Sequence, residues 1–115
     1  MKKVLLAIAL TVWTGTVFAE SGNDLLEKAR ALDNLSRPQG EGARGQLYSG
    51  YWIGFIHGTA STLMEIDSNV CLPTGSNNRQ WSAVVKQYLE QNPAQLHRPA
   101  HNLVREALQR AFPCR

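Results

Sequence analysis

The chain has 115 residues, enough for one domain and too few for two. It carries 12 lysines and arginines against 9 aspartates and glutamates, with no basic run and no basic stripe interleaved with aromatic residues. This composition excludes a nucleic-acid-binding protein. Without Lys2 and Lys3, which belong to the first segment of the chain, 10 basic and 9 acidic residues remain, a net charge of +1.

Residues 1–19 have the layout of a secretory signal peptide. Lys2 and Lys3 begin the segment, residues 4–12 form an apolar stretch, and the residues before Glu20 (VFA) resemble a cleavage site. The alternative is a membrane anchor, but a spanning helix needs about 20 apolar residues and this stretch offers roughly half of that. We therefore expect a cleaved leader, a mature domain of residues 20–115 in the periplasm, and no membrane span after cleavage.

The first predicted helix begins at an Asn23 cap and covers residues 24–32, with acidic residues early and basic residues late, as the helix dipole prefers. Residues 36–45 are rich in glycine, proline and charge, which predicts an exposed loop.

A second, strongly apolar helix is predicted over residues 46–64. Gly50, Gly54 and Gly58 recur every four residues and share one helical face. Because glycine is a poor helix former, we expect this face to pack closely against another helix at the centre of the fold. Glycines at this spacing also occur in membrane helices, but the polar residues interspersed through the segment argue against that interpretation.

After a second irregular stretch at residues 65–78, the apolar spacing predicts two more helices. The third carries Trp81, Val84, Val85, Tyr88 and Leu89 on one face, and Asn92-Pro93 ends it. Asn92 is expected to cap a short turn, and Pro99 to lie in the first turn of the last helix. No segment alternates with period two. We therefore predict an all-α, compact four-helix domain with two longer loops.

Cys71 and Cys114 are the two cysteines and lie 43 positions apart. In an oxidising compartment they are expected to form a structural disulfide. Redox catalysis would call for a Cys-x-x-Cys motif, and the spacing excludes it.

No set of residues predicts catalysis, a cofactor or a metal ion. His97 and His101 are four positions apart, but Pro99 separates them and no third ligand is near in sequence. His57 is expected to be a core or interface residue. Ser49 or Ser61 could form a hydrolytic set with His57 and Asp67. However, the sequence has no Gly-x-Ser-x-Gly or comparable motif that would position a serine for nucleophilic attack. Glu65 and Asp67 are expected to be solvated. We predict that the protein is not an enzyme.

The C-terminal half carries a more specific series of motifs. Its segments are Cys71-Leu72-Pro73, a helix ending in Tyr88-Leu89, Asn92-Pro93, Leu96-His97, Pro99-Ala100 and Ala111-Phe112-Pro113-Cys114, with Gly50-Tyr51-Trp52-Ile53-Gly54 upstream. Together they resemble the Rap/Tai-type immunity proteins of bacterial type VI secretion systems, over roughly residues 24–114. Ala29 and Tyr48 stand where many of those proteins carry a second cysteine pair, and His57-Gly58 stands where they often carry an acidic residue.

The resemblance implies a helical, disulfide-bonded periplasmic protein, often a homodimer, that binds a secreted peptidoglycan-cleaving amidase and blocks its active site. We expect the loop between the second and third helices to meet this partner, because the disulfide anchors its middle and lowers the ordering cost of binding. The candidate interface residues are Asp67, Ser68, Asn69, Thr74, Ser76, Asn77, Asn78 and Arg79.

The alternative functions are a small periplasmic stress chaperone and an orphan helical binding protein. Acid-stress chaperones need dense charge to unfold at low pH, whereas only 18% of the residues here are charged. The sequence therefore favours the immunity function.

Overall fold

The computed structural model describes residues 20–35 and 42–115, so the predicted leader and residues 36–41 of the first predicted loop lie outside it. Its elements are α1 (Gly22–Leu35), α2 (Gly42–Ile66), α3 (Asn78–Gln91), a 3-10 turn at Pro93–Gln95 and α4 (Ala100–Ala111). The described residues form no strand, and Cys71 and Cys114 are joined by a disulfide. The predicted all-α fold with one disulfide is confirmed.

The start of α1 differs from the prediction, because Ser21 and not Asn23 caps the helix. The Ser21 hydroxyl oxygen accepts a hydrogen bond from the Asp24 N–H at 3.3 Å, and the Ser21 N–H donates to the Asp24 carboxylate at 3.1 Å. This reciprocal pair is a capping box. The Ser21 hydroxyl and N–H, with Lys28 nearby, hold the pKa of Asp24 below its usual value.

The residues before and within the first turn of α1 are also fastened to the segment that precedes α4. The Gly22 N–H donates to the Arg98 carbonyl at 3.0 Å, and the Ala100 N–H donates to the Glu20 carbonyl at 2.6 Å. Gly22 itself is so tightly enclosed that a Cβ atom there would lie 3.0 Å from the Leu96 carbonyl oxygen. Glu20, the first residue that the structure describes, is therefore held against the start of α4.

One face of α2 forms the centre of the core. Its buried residues, spaced three or four apart, are Gly45, Ser49, Trp52, Ile56, Ala60 and Leu63. Such spacing places them on a single stripe of the helix. The other helices bury a similar stripe against it, with the fully enclosed side chains including Leu25 of α1, Val85 and Leu89 of α3, and Leu103, Val104 and Leu108 of α4.

Helix α2 is longer at both ends than the predicted residues 46–64. It starts at Gly42, where a φ of +63° favours glycine, so the first predicted loop is shorter than expected. The Arg44 guanidinium donates to the Tyr48 hydroxyl one turn later at 3.1 Å, which supports the added turn. The helix then continues to Ile66.

The ends of α3 and α4 are close to the prediction, with two differences. The Asn92 side chain does not cap the 3-10 turn; its amide donates to the Tyr88 carbonyl at the end of α3, at 2.7 Å. Pro99 lies at the cap position before α4 and not inside its first turn.

A polar cluster joins α3 to α4 beside this connection. Arg98 pairs with Glu106, which also accepts a hydrogen bond from the Tyr88 hydroxyl at 2.8 Å. Arg98 is the main cause of the lowered pKa of Glu106.

Candidate partner-binding site

The loop between α2 and α3, residues 67–77, is fastened to the C-terminal end of α4 at its middle. The Cys71–Cys114 disulfide joins the two, with Cα atoms 5.0 Å apart. The Cys71 N–H donates to the Phe112 carbonyl at 2.9 Å, and Val70 forms an isolated antiparallel bridge with Pro113. The backbone on both sides of the disulfide is therefore held by hydrogen bonds as well as by the covalent bond.

Asp67 fixes the start of the loop. Its Oδ2 accepts hydrogen bonds from Arg105 Nε at 2.7 Å and Gln109 Nε2 at 3.0 Å, and its Oδ1 accepts one from the Asn69 N–H at 2.9 Å. The Asn69 N–H, followed by Arg105, lowers the pKa of Asp67. The side chain is only 6% exposed, so the prediction that Asp67 is a solvated loop residue is wrong. Glu65 is exposed, as predicted.

Hydrogen bonds also order the second half of the loop. The Ser76 N–H donates to the Pro73 carbonyl at 3.0 Å in a turn where Gly75 has a φ of +86°. The Ser76 hydroxyl accepts a hydrogen bond from the Trp81 indole N–H at 3.0 Å. Asn77 caps α3 by accepting the Gln80 N–H at 3.1 Å. The loop thus enters α3 in one defined conformation.

The eight predicted interface residues fall into two groups. Three are partly buried and hold the loop in place: Asp67, Ser76 and Asn78. The other five are exposed: Ser68, Asn69, Thr74, Asn77 and Arg79. The structure thus brings the eight residues to one loop and the first turn of α3, with five of them open to a partner.

The glycine face of α2 does not pack against another helix within the described residues, so that prediction is wrong. Gly50, Gly54 and Gly58 are exposed, and a Cβ atom at any of them would meet no atom within 4 Å. The physical reason is the position of the buried stripe, which lies on the opposite side of the helix from the glycines.

Exposed apolar side chains accompany these glycines along α2. Leu47 is 69% exposed and Ile66 is 74% exposed, and Tyr51, Ile53 and Met64 are between 43% and 47% exposed. Residues 45–64 contain no charged side chain. The sequence alone does not reveal this uncharged surface, because small and apolar residues at this spacing are equally typical of a helix packed in the core.

Tyr51 is bound to the first described residue of the chain. Its hydroxyl donates to the Glu20 carboxylate, which also pairs with Lys28 Nζ at 2.7 Å. Lys28 Nζ lies 4.7 Å from the centroid of the Tyr51 ring. The hydrogen bond to Glu20, with a smaller effect of burial, raises the pKa of Tyr51 to about 12.

The residues considered for catalysis or metal binding are separate from one another. The Ser49 hydroxyl is buried and donates to the Gly45 carbonyl at 2.8 Å. His57 is exposed and stacks on Trp81 with 6.0 Å between ring centroids, so it is not a core residue. His97 and His101 are both exposed. Among residues 20–35 and 42–115, no three His, Cys, Asp or Glu side chains form a group that could hold a metal ion.

Comparison with known protein families supplies the identification. The family model described as Rap1a immunity proteins matches residues 21–114, which is most of the chain. The chain belongs to this family. No curated protein and no solved structure matches it significantly.

Membership of the Rap1a immunity protein family agrees with the resemblance seen in the sequence, and indicates an immunity protein that acts against a secreted effector. Proteins of this family are generally non-enzymatic and typically periplasmic. In the part of the chain that the structure describes, no helix is long and apolar enough to cross a membrane.

Proposed function

We propose that this Rap1a-family protein is a periplasmic immunity protein that binds a peptidoglycan-cleaving amidase delivered by a type VI secretion system and blocks its active site. The family match over residues 21–114 is the observation that carries the proposal. The leader predicted at residues 1–19 supports export to the periplasm, which is the compartment where peptidoglycan lies.

The fastened loop supports a binding function of this kind. Binding costs free energy whenever a loop has to become ordered at the interface. Here the disulfide, the Asp67 contacts and the Asn77 cap set the loop conformation before a partner arrives. The exposed side chains between Ser68 and Arg79 then form a rigid projecting surface. We propose that this surface enters or covers the amidase active site.

We further propose that two copies pair through the exposed face of α2. The helix is 25 residues long, or about 37 Å at 1.5 Å per residue, and it carries no charged side chain within residues 45–64. Exposed glycines destabilise a helix relative to alanine by about 1 kcal/mol each. A close approach by the same helix of a second copy gives these glycines a packing role, and Leu47 and Met64 gain burial at the flanks.

Rescue of poisoned cells tests the proposed function. A type VI peptidoglycan amidase is expressed in a bacterium with a periplasmic targeting signal, together with the full chain. The full chain is expected to restore growth. The matched control is residues 20–115 without the leader, which remains in the cytoplasm and should give no protection. Failure of the full chain to rescue cells from every amidase in a representative panel would contradict the proposal.

A further inference from the structure

Helices α1, α2 and α3 enclose a groove of about 550 Å³ that begins at the predicted interface residues Asn78 and Arg79. We name it the α1–α3 groove. Its lining residues from α1 and α2 are mainly apolar, and Trp52, itself almost wholly enclosed, contributes to it. Ile53 and Ala83, which also line it, are exposed. An apolar groove with a few polar groups is the usual form of a site that receives a protein side chain or small ligand.

The lining of the α1–α3 groove carries one acidic side chain, Asp33, and two basic side chains, Arg79 and Lys86. Lys86 forms an ion pair with Asp33 and lies 4.0 Å from Glu90. Arg79 forms no ion pair with any of the described residues. One positive charge at the entrance is therefore left without a partner of its own.

The same end of the groove holds an unsatisfied hydrogen-bond acceptor. The Asn78 side-chain amide donates to the Ile53 carbonyl at 3.3 Å, while its Oδ1 is buried and accepts no hydrogen bond within residues 20–35 and 42–115. Most buried polar atoms in folded proteins have a partner, and one left without a partner is destabilising. A donor supplied by an occupant removes this cost.

We propose that the α1–α3 groove receives an anchoring segment of the effector in which an apolar side chain adjoins a carboxylate. The apolar side chain packs against Ile53 and Ala83, the carboxylate pairs with Arg79, and a backbone N–H of the segment donates to Asn78 Oδ1 once the Asn78 side chain rotates. This inference rests on the proposed function and extends the interface from the loop into a defined socket. Such central, desolvated sockets contribute most of the free energy of many protein interfaces.

Affinity measurements with groove variants test this assignment. The probe is a purified amidase that the mature wild-type protein binds, and the readout is the dissociation constant from calorimetry. Ala83→Trp fills the groove and is expected to raise the Kd by at least about thirtyfold, the scale of an interface hot spot. Its control is Ala94→Trp, an exposed alanine beyond the opposite end of α3, which should leave the Kd unchanged.

The role of the Arg79 charge is tested by the same affinity measurement. Arg79→Glu is expected to raise the Kd at least tenfold, about 1.4 kcal/mol, with a smaller effect at high salt. Arg30→Glu, at an exposed arginine of α1 outside the groove, is the matched control. Equal Kd values for all four variants and the wild type would overturn the groove assignment and leave the proposed function intact. A Kd that Ala94→Trp raises as much as Ala83→Trp does would also overturn the groove assignment.

A second experiment does not depend on any effector. The peptides acetyl-Asp-Leu-amide and acetyl-Lys-Leu-amide are titrated at millimolar concentration into the isotopically labelled mature protein. We expect the acidic peptide alone to shift the NMR signals of the Asn78 side-chain amide and the Arg79 backbone amide. Absence of these shifts contradicts the groove assignment. If no amidase binds the wild type, the proposed function fails, while this titration still decides whether the groove takes an acidic, apolar segment.

Discussion

Removal of the Cys71–Cys114 disulfide tests how the fastened loop stabilises the protein. The two cysteines are 43 positions apart, and the loop-entropy model gives about 4 kcal/mol at 25 °C for a closure of that length. We expect the Cys71→Ala/Cys114→Ala double variant to lose about 2–5 kcal/mol of unfolding free energy. The hydrogen bonds of Asp67 and of the Cys71 N–H do not involve the sulfur atoms, so the loop should loosen without detaching.

Chemical denaturation gives the loss of stability, and calorimetry with a bound amidase gives the effect on affinity. The affinity is measured under conditions where far-UV circular dichroism shows that the variant is still folded. Because the loop must then become ordered at binding, we expect the Kd to rise by about tenfold. Wild-type protein reduced with a thiol reagent should behave like the double variant.

Two results would refute this reasoning. Two titratable thiols in protein isolated from the periplasm would show that the disulfide does not form there. An unchanged Kd in the folded double variant would show that the loop is not part of the interface, although the disulfide could still stabilise the fold.

Four further predictions concern single residues. Gly54→Ala should raise the unfolding free energy of the isolated subunit by about 1 kcal/mol, because the site is open and alanine favours a helix; thermal melts of dilute protein check this. Gly54→Glu should make the protein monomeric in sedimentation experiments, and persistence of a dimer would contradict pairing through α2. Gly22→Ala should lower stability by about 1–3 kcal/mol, since its Cβ would crowd Leu103 and the Leu96 backbone, and an unchanged melting temperature would show that the segment before α4 shifts freely. Because folding lowers the pKa of Asp67, the Asp67 carboxylate stabilises the fold at pH values above the ordinary pKa of 3.8, and this stabilisation is lost as the pH falls below that value. The difference in unfolding free energy between the wild type and Asp67→Asn should therefore shrink in acid. A difference that stays constant with pH would contradict this.

Helix α3 could be predicted from the sequence because its surface is polar where it meets water. Trp81, Val85, Tyr88 and Leu89 are buried as expected, and Val84 is partly buried. The Asn92-Pro93 stop lies beside this helix in sequence, so local chemistry is enough to place its C-terminal end.

The orientation of α2 could not be predicted in the same way. With no charged residue between Gly45 and Met64, apolar residues occur on every side of the helix, and periodicity does not separate the buried face from the exposed one. The small size of the glycines suits close packing, which favours the buried side for them. The buried stripe through Trp52 and Ile56 lies on the opposite side.

Contacts between distant residues set the rest of the candidate site. Asp67 is held by Arg105 and Gln109, which are 38 and 42 positions away, and nothing in the sequence around Asp67 indicates that pairing. The α1–α3 groove arises only when three helices come together. The disulfide was predictable because the chain offers just two cysteines.

Inhibition of an amidase by the mature protein tests the central claim most directly. Residues 20–115 are added stepwise to each of a panel of purified type VI peptidoglycan amidases, and the release of cleaved peptide from peptidoglycan is followed. The proposed function predicts that for at least one amidase the activity falls in proportion to the added protein and ends at one immunity chain per enzyme. Unchanged cleavage by every amidase in the panel, at any ratio of the two proteins, would contradict it.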